Sequence, residues 1–339
     1  IKAMSSAILE ISKLSDPVGK TIWENTRPNG LKIKRITVPL GLLAVIYESR
    51  PNVTADAFSL CLKSGNAVIL KPGSESFKTS TVIFEILQQS LEEAGLSKDI
   101  IAIVPSKSRE MVDQLLKMDK YIDVVVPRGG KNLIKKVSEA SKIPVFKHLD
   151  GNCHTYIHKS SNIEIAKRVL YNAKLRRTGI CGATESVLID SEILNKCPEI
   201  FADLNKQNCE IRADKKICEH LDYAVAAQEI DYSTEYLDNI ISVKTVDNTK
   251  EAINHINKHG SSHTDCIIAS DDKACEEFLN SVDSAIVMVN SSTQFADGGE
   301  FGLELKLGSQ LESYMHVDLS DLSNWYIQIH VIGNGQIRD

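Results

Sequence analysis

One stretch of this 339-residue chain has the make-up of a reactive site. Thr178-Gly179-Ile180-Cys181-Gly182-Ala183-Thr184-Glu185 sets a cysteine among glycines, where the backbone is exposed and open to close approach. Lys174, Arg176 and Arg177 lie just upstream, and cations lower a thiol from its usual pKa of about 8.5 toward the reactive thiolate. The plainer alternative is a buried structural cysteine, the commoner fate of the residue. Two other turns suit anions. Lys71-Pro72-Gly73-Ser74-Glu75 and Arg128-Gly129-Gly130-Lys131 each follow a strand pattern and open a helix pattern, so N–H groups and a positive helix end would face a phosphate. Taken singly, each is equally well a turn needed only for folding. The G-x-G-x-x-G turn of a typical dinucleotide fold is absent.

These residues need a scaffold, and the hydrophobic pattern supplies one. Ile1 to Leu14 has helical spacing, Asp16 to Gly19 is a turn, and Leu31 to Val38 alternates as a strand. Strands are then expected at Leu42–Glu48, Asn66–Lys71, Ile100–Val104, Ile122–Val126 and Pro144–Lys147. Helices fall between them at Thr54–Lys63, Ser80–Ala94, Arg109–Met118 and Lys131–Ser141. Continuous apolar strands alternating with helices imply a parallel sheet covered on both faces, a doubly wound nucleotide-binding architecture. A second alternating series runs Ile163–Lys174 (helix), Ser186–Ile189 (strand), Lys250–Lys258 (helix), Asp265–Ala269 (strand), Lys273–Ser281 (helix) and Ala285–Asn290 (strand). Trp325–Ile332 reads as a long terminal strand.

Composition narrows the field. The chain is 42% hydrophobic and carries 39 basic against 45 acidic residues, net −6, with no long basic cluster, so a nucleic-acid binder is not expected. Its apolar runs fall far short of the ~20 residues that a membrane span needs, which excludes a membrane protein. Eight cysteines, none in a C-x-x-C pair, argue against a zinc site or disulfide scaffold and for a reduced, cytoplasmic protein. No metal is expected. The opening shows no signal-peptide pattern, and a start on Ile1 rather than methionine fits a piece of a longer chain.

Several segments together resemble the gamma-glutamyl phosphate reductase family of the aldehyde dehydrogenase superfamily. They are VPLGLLAVIYESRPNVTADAF from Val38, LKSGNAVILKPGSES from Leu62, VVVPRGGKNLIKKV from Val124, HLDGNCHTYI from His148 and NAKLRRTGICGATESVLI from Asn172. TEYLDNIISVKTVD from Thr234, HINKHGSSHTDCII from His255, VNSSTQFADGGEFG from Val289 and GNGQIR from Gly333 complete the set in family order. The resemblance implies an α/β, aldehyde dehydrogenase-like fold: two doubly wound α/β domains plus a β-strand oligomerisation arm. Residues 1–147 would bind NADPH, with 31–38 part of the arm. Residues 148–312 would carry Cys181, and 313–339 would return to the arm as a strand pairing between subunits of a homo-oligomer.

The same resemblance assigns roles. Cys181 would attack the acyl phosphate of L-glutamyl 5-phosphate, expel phosphate, and hold a thioester that accepts hydride from NADPH, giving glutamate 5-semialdehyde for proline biosynthesis. A glutamate 5-kinase would supply the labile substrate. Lys71, with Gly73 and Ser74, would meet the adenosine ribose or its phosphate, Arg128, Gly129 and Gly130 would lie beside the pyrophosphate, and Glu235 would hold the nicotinamide ribose. Oxyanion donors would be the Cys181 N–H and the Asn52 side-chain amide. Arg50 would meet the leaving phosphate, and His263 and Thr264, with Asp265, would lie near the substrate's amino-acid end. His148 stands where hydrolytic relatives carry a water-activating glutamate, an absence that protects a thioester. His148 and His154 would also serve proton transfer, although a satisfied core histidine is the simpler reading of either.

Three departures stand against the family pattern. The family has a further N-terminal region, Gln294 replaces its usual arginine, and Leu303 to Leu322 does not match its glycine-rich segment. They motivate two alternatives: a decayed homologue that folds and oligomerises without turnover, or another acylating or hydrolytic aldehyde dehydrogenase.

Overall fold

The computed structural model describes residues 1–146, 150–296, 300 and 328–339, which fall into two compact units dividing between residues 146 and 150. The first opens with helix α1 (Lys2–Lys13) and an antiparallel hairpin, β1 (Thr21–Thr26) and β2 (Lys32–Ile36), that pairs Thr21 with Ile36 and Thr26 with Lys32. The β2 segment was expected as a strand; β1 was not. TIWENT is exposed almost throughout, so no buried face imposes an alternating pattern on it.

Next come β3 (Leu42–Tyr47), α2 (Asn52–Lys63), β4 (Ala67–Pro72), α3 (Phe77–Glu93), β5 (Ile101–Ile103), α4 (Glu110–Leu115), β6 (Val124–Arg128) and α5 (Lys131–Ala140). The four strands lie parallel in the order β5-β4-β3-β6. LLAVIY is apolar at every position because both of its faces are covered. Leu43, Val45 and Tyr47 pack with Phe58 of α2 and Leu87 and Leu91 of α3. Ala44 and Ile46 pack on the other side with Val112, Leu115 and Val137. Gly41 precedes β3 at φ +117°, and a Cβ there would lie 2.1 Å from Asp123 Oδ2, the atom that accepts the Leu42 N–H at 2.8 Å. The strand expected over 144–147 is reduced to a bridge between Val125 and Val145, and Lys147 lies outside the described residues.

The second unit is one eight-stranded parallel sheet. Its strands are β7 (Cys153–Ile157), β8 (Thr184–Asp190), β9 (Glu210–Ala213), β10 (Val225–Ala226), β11 (Ile240–Val246), β12 (Thr264–Ile268), β13 (Ile286–Ser291) and β14 (Ile329–Gln336), ordered β10-β9-β11-β8-β7-β12-β13-β14. Helix α6 (Ile163–Leu175) buries Ala166, Val169 and Leu170 against Val187, Ile189 and Ile241. The opposite face is covered by the helices Thr249–His259 and Asp272–Ser281, through Ile253, Ile256 and Phe278 against Tyr156, Leu188 and Ile267. Of the terminal strand expected at 325–332, residues 325–327 lie outside the described residues. The described strand, Ile329–Gln336, joins the unit's own sheet parallel to β13, where Ile329 and Val331 find apolar cover. Among the described residues no helix is long and apolar enough to cross a membrane.

Three buried histidines of this unit, His154, His255 and His259, cluster together. His154 is fully buried, with Nδ1 3.1 Å from the Asn152 carbonyl. The His255 ring centroid lies 5.6 Å from that of His154, 4.4 Å from that of His259 and 5.4 Å from that of Tyr232. Nε2 of His154 and of His255 lacks a hydrogen-bond partner, so His154 is a core group here. Burial, reinforced by the neighbouring histidines and Lys244, pushes His255 down to about 2. A histidine depressed in the folded state stabilises the fold above its unfolded pKa of about 6.5, and that stability is lost as pH falls toward the folded value. The denaturation midpoint should therefore drop progressively below about pH 6.5, and His255→Phe should flatten that drop by up to one proton, measured by urea unfolding across pH 5 to 8.

Candidate active site

In the first unit the chain reverses direction across β3, with β4 and β5 on one side and β6 on the other. Such a switch point leaves a crevice at the carboxyl ends of the strands. A pocket of about 860 Å³ lies there, and Lys71, Gly73, Ser74 and Gly130 line it as expected. Lys71 is buried, its Nζ donates to the Pro72 carbonyl at 3.0 Å, and burial lowers its pKa below the ordinary lysine value. At Gly73 a Cβ would come within 3.3 Å of the Glu48 Cα, so a side chain there would require that backbone to give by a few tenths of an ångström. Lys107, Arg109 and Lys136 add three cations to the lining that the sequence reading did not single out. The signal available for Lys107 and Arg109 was their place just after β5, at the same carboxyl edge.

The turn after β6 differs from an open anion seat. The Gly130 N–H donates to Glu48 Oε2 at 3.0 Å, and a Cβ at Gly129 would lie 2.6 Å from that oxygen. A carboxylate thus already faces the start of α5, where phosphate was expected, and Arg128 and Gly129 are not among the pocket's lining residues. Arg50 is exposed, and its carbonyl accepts the Val53 N–H at 3.0 Å. Asn52 opens α2 and spends its side-chain amide on Asp56 of the same helix, at 3.1 Å. Neither lines the pocket.

In the second unit the expected nucleophile sits on the turn between α6 and β8. Cys181 is the one exposed cysteine of the eight, and none of the eight is in a disulfide. Cys61, Cys197, Cys209 and Cys266 are buried, and desolvation raises each to about 12, the inert behaviour expected of small core hydrophobes. Gly151, on the loop entering β7, lies flat against the Cys181 peptide: a Cβ there would be 2.2 Å from the Cys181 oxygen and 2.5 Å from its Cα. From two residues on, the buried Cys153 thiol donates to the Cys181 carbonyl at 3.0 Å, and burial raises its own pKa well above the usual value. Sequence reasoning missed both Gly151 and Cys153. The glycine is one of many, and the cysteine has no exposed, glycine-rich setting to mark it.

Glu235 is brought to the same place, its Oε1 accepting the Gly151 N–H at 2.8 Å. His263 and Thr264 are buried behind it. His263 Nδ1 lies 2.8 Å from Thr264 Oγ1 and 3.6 Å from Cys153 Sγ, so the two contact the thiol that supports Cys181. Asp265 is spent on the His154 N–H, at 2.7 Å, and on Ser284, at 2.5 Å. His148 lies outside the described residues. Gly151, Cys181, Glu235 and His263 all precede strands, so this cluster occupies the amino edge of its sheet.

One sequence expectation needs correction. Lys174 is not a free cation beside Cys181: it is fully buried and paired with Glu185 at 2.5 Å. Gln294, where the family pattern has arginine, is buried and donates to the carbonyls of Ala173 and Arg177, at 2.9 and 3.3 Å. The divergent 303–322 stretch lies outside the described residues.

Comparison with known proteins follows the same lines. The aldehyde dehydrogenase family matches residues 5–222. A gamma-glutamyl phosphate reductase of Bartonella tribocorum is 48% identical over all of this chain and 83% of its own length. One from Paramagnetospirillum magneticum is 48% identical over all of this chain and 80% of its own. The crystal structure of gamma-glutamyl phosphate reductase from Thermotoga maritima superposes with a TM-score of 0.88 at 36% identity, covering 91% of this chain and 74% of that one. An acetylating aldehyde dehydrogenase from Geobacillus thermoglucosidasius, at 20% identity and a TM-score of 0.61, covering 90% of this chain and 79% of that one, shares the fold.

Exposure separates Cys181 from the other thiols. Limited iodoacetamide should label it at least about tenfold faster than any other cysteine, read by peptide mass mapping. Gly151→Ala should destabilise the protein by roughly 1–3 kcal/mol and change that labelling rate, because the Cys181 backbone must move.

Proposed function

The chain belongs to the gamma-glutamyl phosphate reductases of the aldehyde dehydrogenase family, and from that membership we propose its reaction and the parts its residues play. It is an NADP-dependent phosphorylating aldehyde dehydrogenase that reduces L-glutamyl 5-phosphate to L-glutamate 5-semialdehyde and phosphate, the second step of proline biosynthesis. The observation that carries the reading is the exposed Cys181, on a turn backed by Gly151 and Cys153, in a chain 48% identical to a gamma-glutamyl phosphate reductase.

Cys181 attacks the acyl carbon, forming a carbon–sulfur bond as the phosphate leaves with the electrons of the broken carbon–oxygen bond. The Cys181 N–H stabilises the oxyanion, and Asn52 is the second donor on the family pattern. Arg50 receives the leaving phosphate, and His263 and Thr264 lie near the substrate's amino-acid end on the family pattern. A water-activating carboxylate at position 148 is replaced by histidine, which favours reduction of the thioester over its hydrolysis.

The first unit's pocket fits a dinucleotide. It has the volume, a buried lysine, glycine-tight walls and three further cations for the phosphates. Lys71, Gly73 and Ser74 would hold the adenosine end, Arg128, Gly129 and Gly130 would lie along the pyrophosphate once Glu48 gives way, and Glu235 would hold the nicotinamide ribose. When bound, the nicotinamide supplies the hydride. NADPH rather than NADH is favoured by the cationic lining, which suits an additional ribose phosphate.

The β1–β2 hairpin exposes Ile22, Trp23, Ile33 and Ile36, which supports a homo-oligomer with this hairpin as its arm. Eight cysteines with no disulfide among them suit a reducing cytoplasm, and the lability of an acyl phosphate suits delivery by a glutamate 5-kinase.

NADPH formation from glutamate semialdehyde and NADP should require inorganic phosphate and fall at least about a thousandfold in Cys181→Ala. Turnover indifferent to phosphate would sink the reaction assignment, and a folded protein binding NADPH without turnover would favour the decayed homologue. Lys71→Met should raise KM for NADP about tenfold, with kcat changed less.

A further inference from the structure

Lys174 and Glu185 are both fully buried, and their charges meet at 2.5 Å. Lys174 lies in the last turn of α6 and Glu185 near the start of β8, so the pair closes the base of the loop that carries Cys181. A buried ion pair is a costly way to hold two elements together, since well-packed apolar side chains do it as well. Its persistence calls for a further use.

That use is visible on the second carboxylate oxygen. Glu185 Oε1 accepts the backbone N–H of Leu237 at 3.2 Å. Leu237 has φ +54°, a left-handed conformation that an ordinary side chain rarely adopts, and it stands two residues after Glu235. Glu235 in turn accepts the Gly151 N–H at 2.8 Å, and Gly151 lies against Cys181. Burial raises the Glu185 pKa, to about 7, and Lys174 opposes that rise.

We propose that the Lys174–Glu185 pair is a positioning device for the reductase reaction: it clamps the left-handed backbone at Leu237 and so fixes Glu235 beside the Cys181 turn. The proposal rests on the reading that Glu235 holds the nicotinamide ribose. Neither Lys174 nor Glu185 is a catalytic residue; both act through the 235–237 segment.

The test separates the charge from the acceptor. Lys174→Met with Glu185→Gln removes both charges and keeps a carbonyl oxygen for the Leu237 N–H. Lys174→Met with Glu185→Leu removes both charges and the acceptor. The first double variant should keep KM for NADP within about threefold of the parent, and the second should raise it about tenfold or more with kcat changed less, the size of one lost charge-assisted hydrogen bond. Equal KM values in the two double variants would overturn the proposal, since a merely structural pair would not distinguish them. Hydrogen exchange on the unaltered chain gives a second readout that needs no variant to fold. The Leu237 amide should exchange at least about a hundredfold more slowly than its exposed neighbour Asp238, and equal rates would overturn the clamp. Failure of the nucleotide reading has its own signature: the unaltered chain would not bind NADP, while slow Leu237 exchange would persist.

Discussion

The second unit is organised around a place where no side chain fits, the contact between Gly151 and the Cys181 peptide, at which a Cβ would lie 2.2 Å from a carbonyl oxygen. That approach aligns the loops entering β7 and β8, and the Cys153 thiol reaches the Cys181 carbonyl because of it. The Gly151 N–H is left pointing at Glu235. Four separate segments are held by polar contacts at one edge of a parallel sheet, leaving the Cys181 side chain exposed while its backbone is gripped from beneath. Precision in such a site comes from packed and hydrogen-bonded support rather than from the reactive group itself.

The two units differ in how far their sequences disclose them. β3 and β6 are apolar at nearly every position because helices cover both faces, so the pattern, the parallel sheet and the pocket at its carboxyl ends follow from hydrophobicity and connectivity. In the second unit β7 reads CHTYI and is buried throughout, yet it carries a histidine whose Nδ1 is met inside the fold by Asn152 and a threonine whose hydroxyl is met by Thr184. β11 likewise holds Ser242, Lys244 and Thr245. Tertiary hydrogen bonds license those residues, and no local period announces them, so β7, β9, β10 and β11 were not foreseen.

The same limit applies within the site. Cys181 was legible because glycines around a cysteine mark open backbone, whereas the meaning of Lys174 depended on Glu185, eleven residues away in sequence and buried with it. A lysine near a thiol in sequence suggests activation; in space its charge is taken. Gln294 shows the converse, a departure from the family pattern that in space ties the end of α6 and its loop together.

The connectivity of the eight-stranded sheet has a consequence for how the chain reaches this state. β7 lies between β8 and β12, and the backbone of His154 rests on Asp265, 111 residues later. β13 receives its outer neighbour only from Ile329–Gln336. Parallel pairing over such spans must close long loops before any contact rewards them, which slows folding. During synthesis the first unit holds all four strands of its sheet by residue 128, whereas β7 waits for its second flank until β12 emerges. The Cys181 turn is thus made well before the strands that complete its sheet, and the last described strand to arrive finishes it.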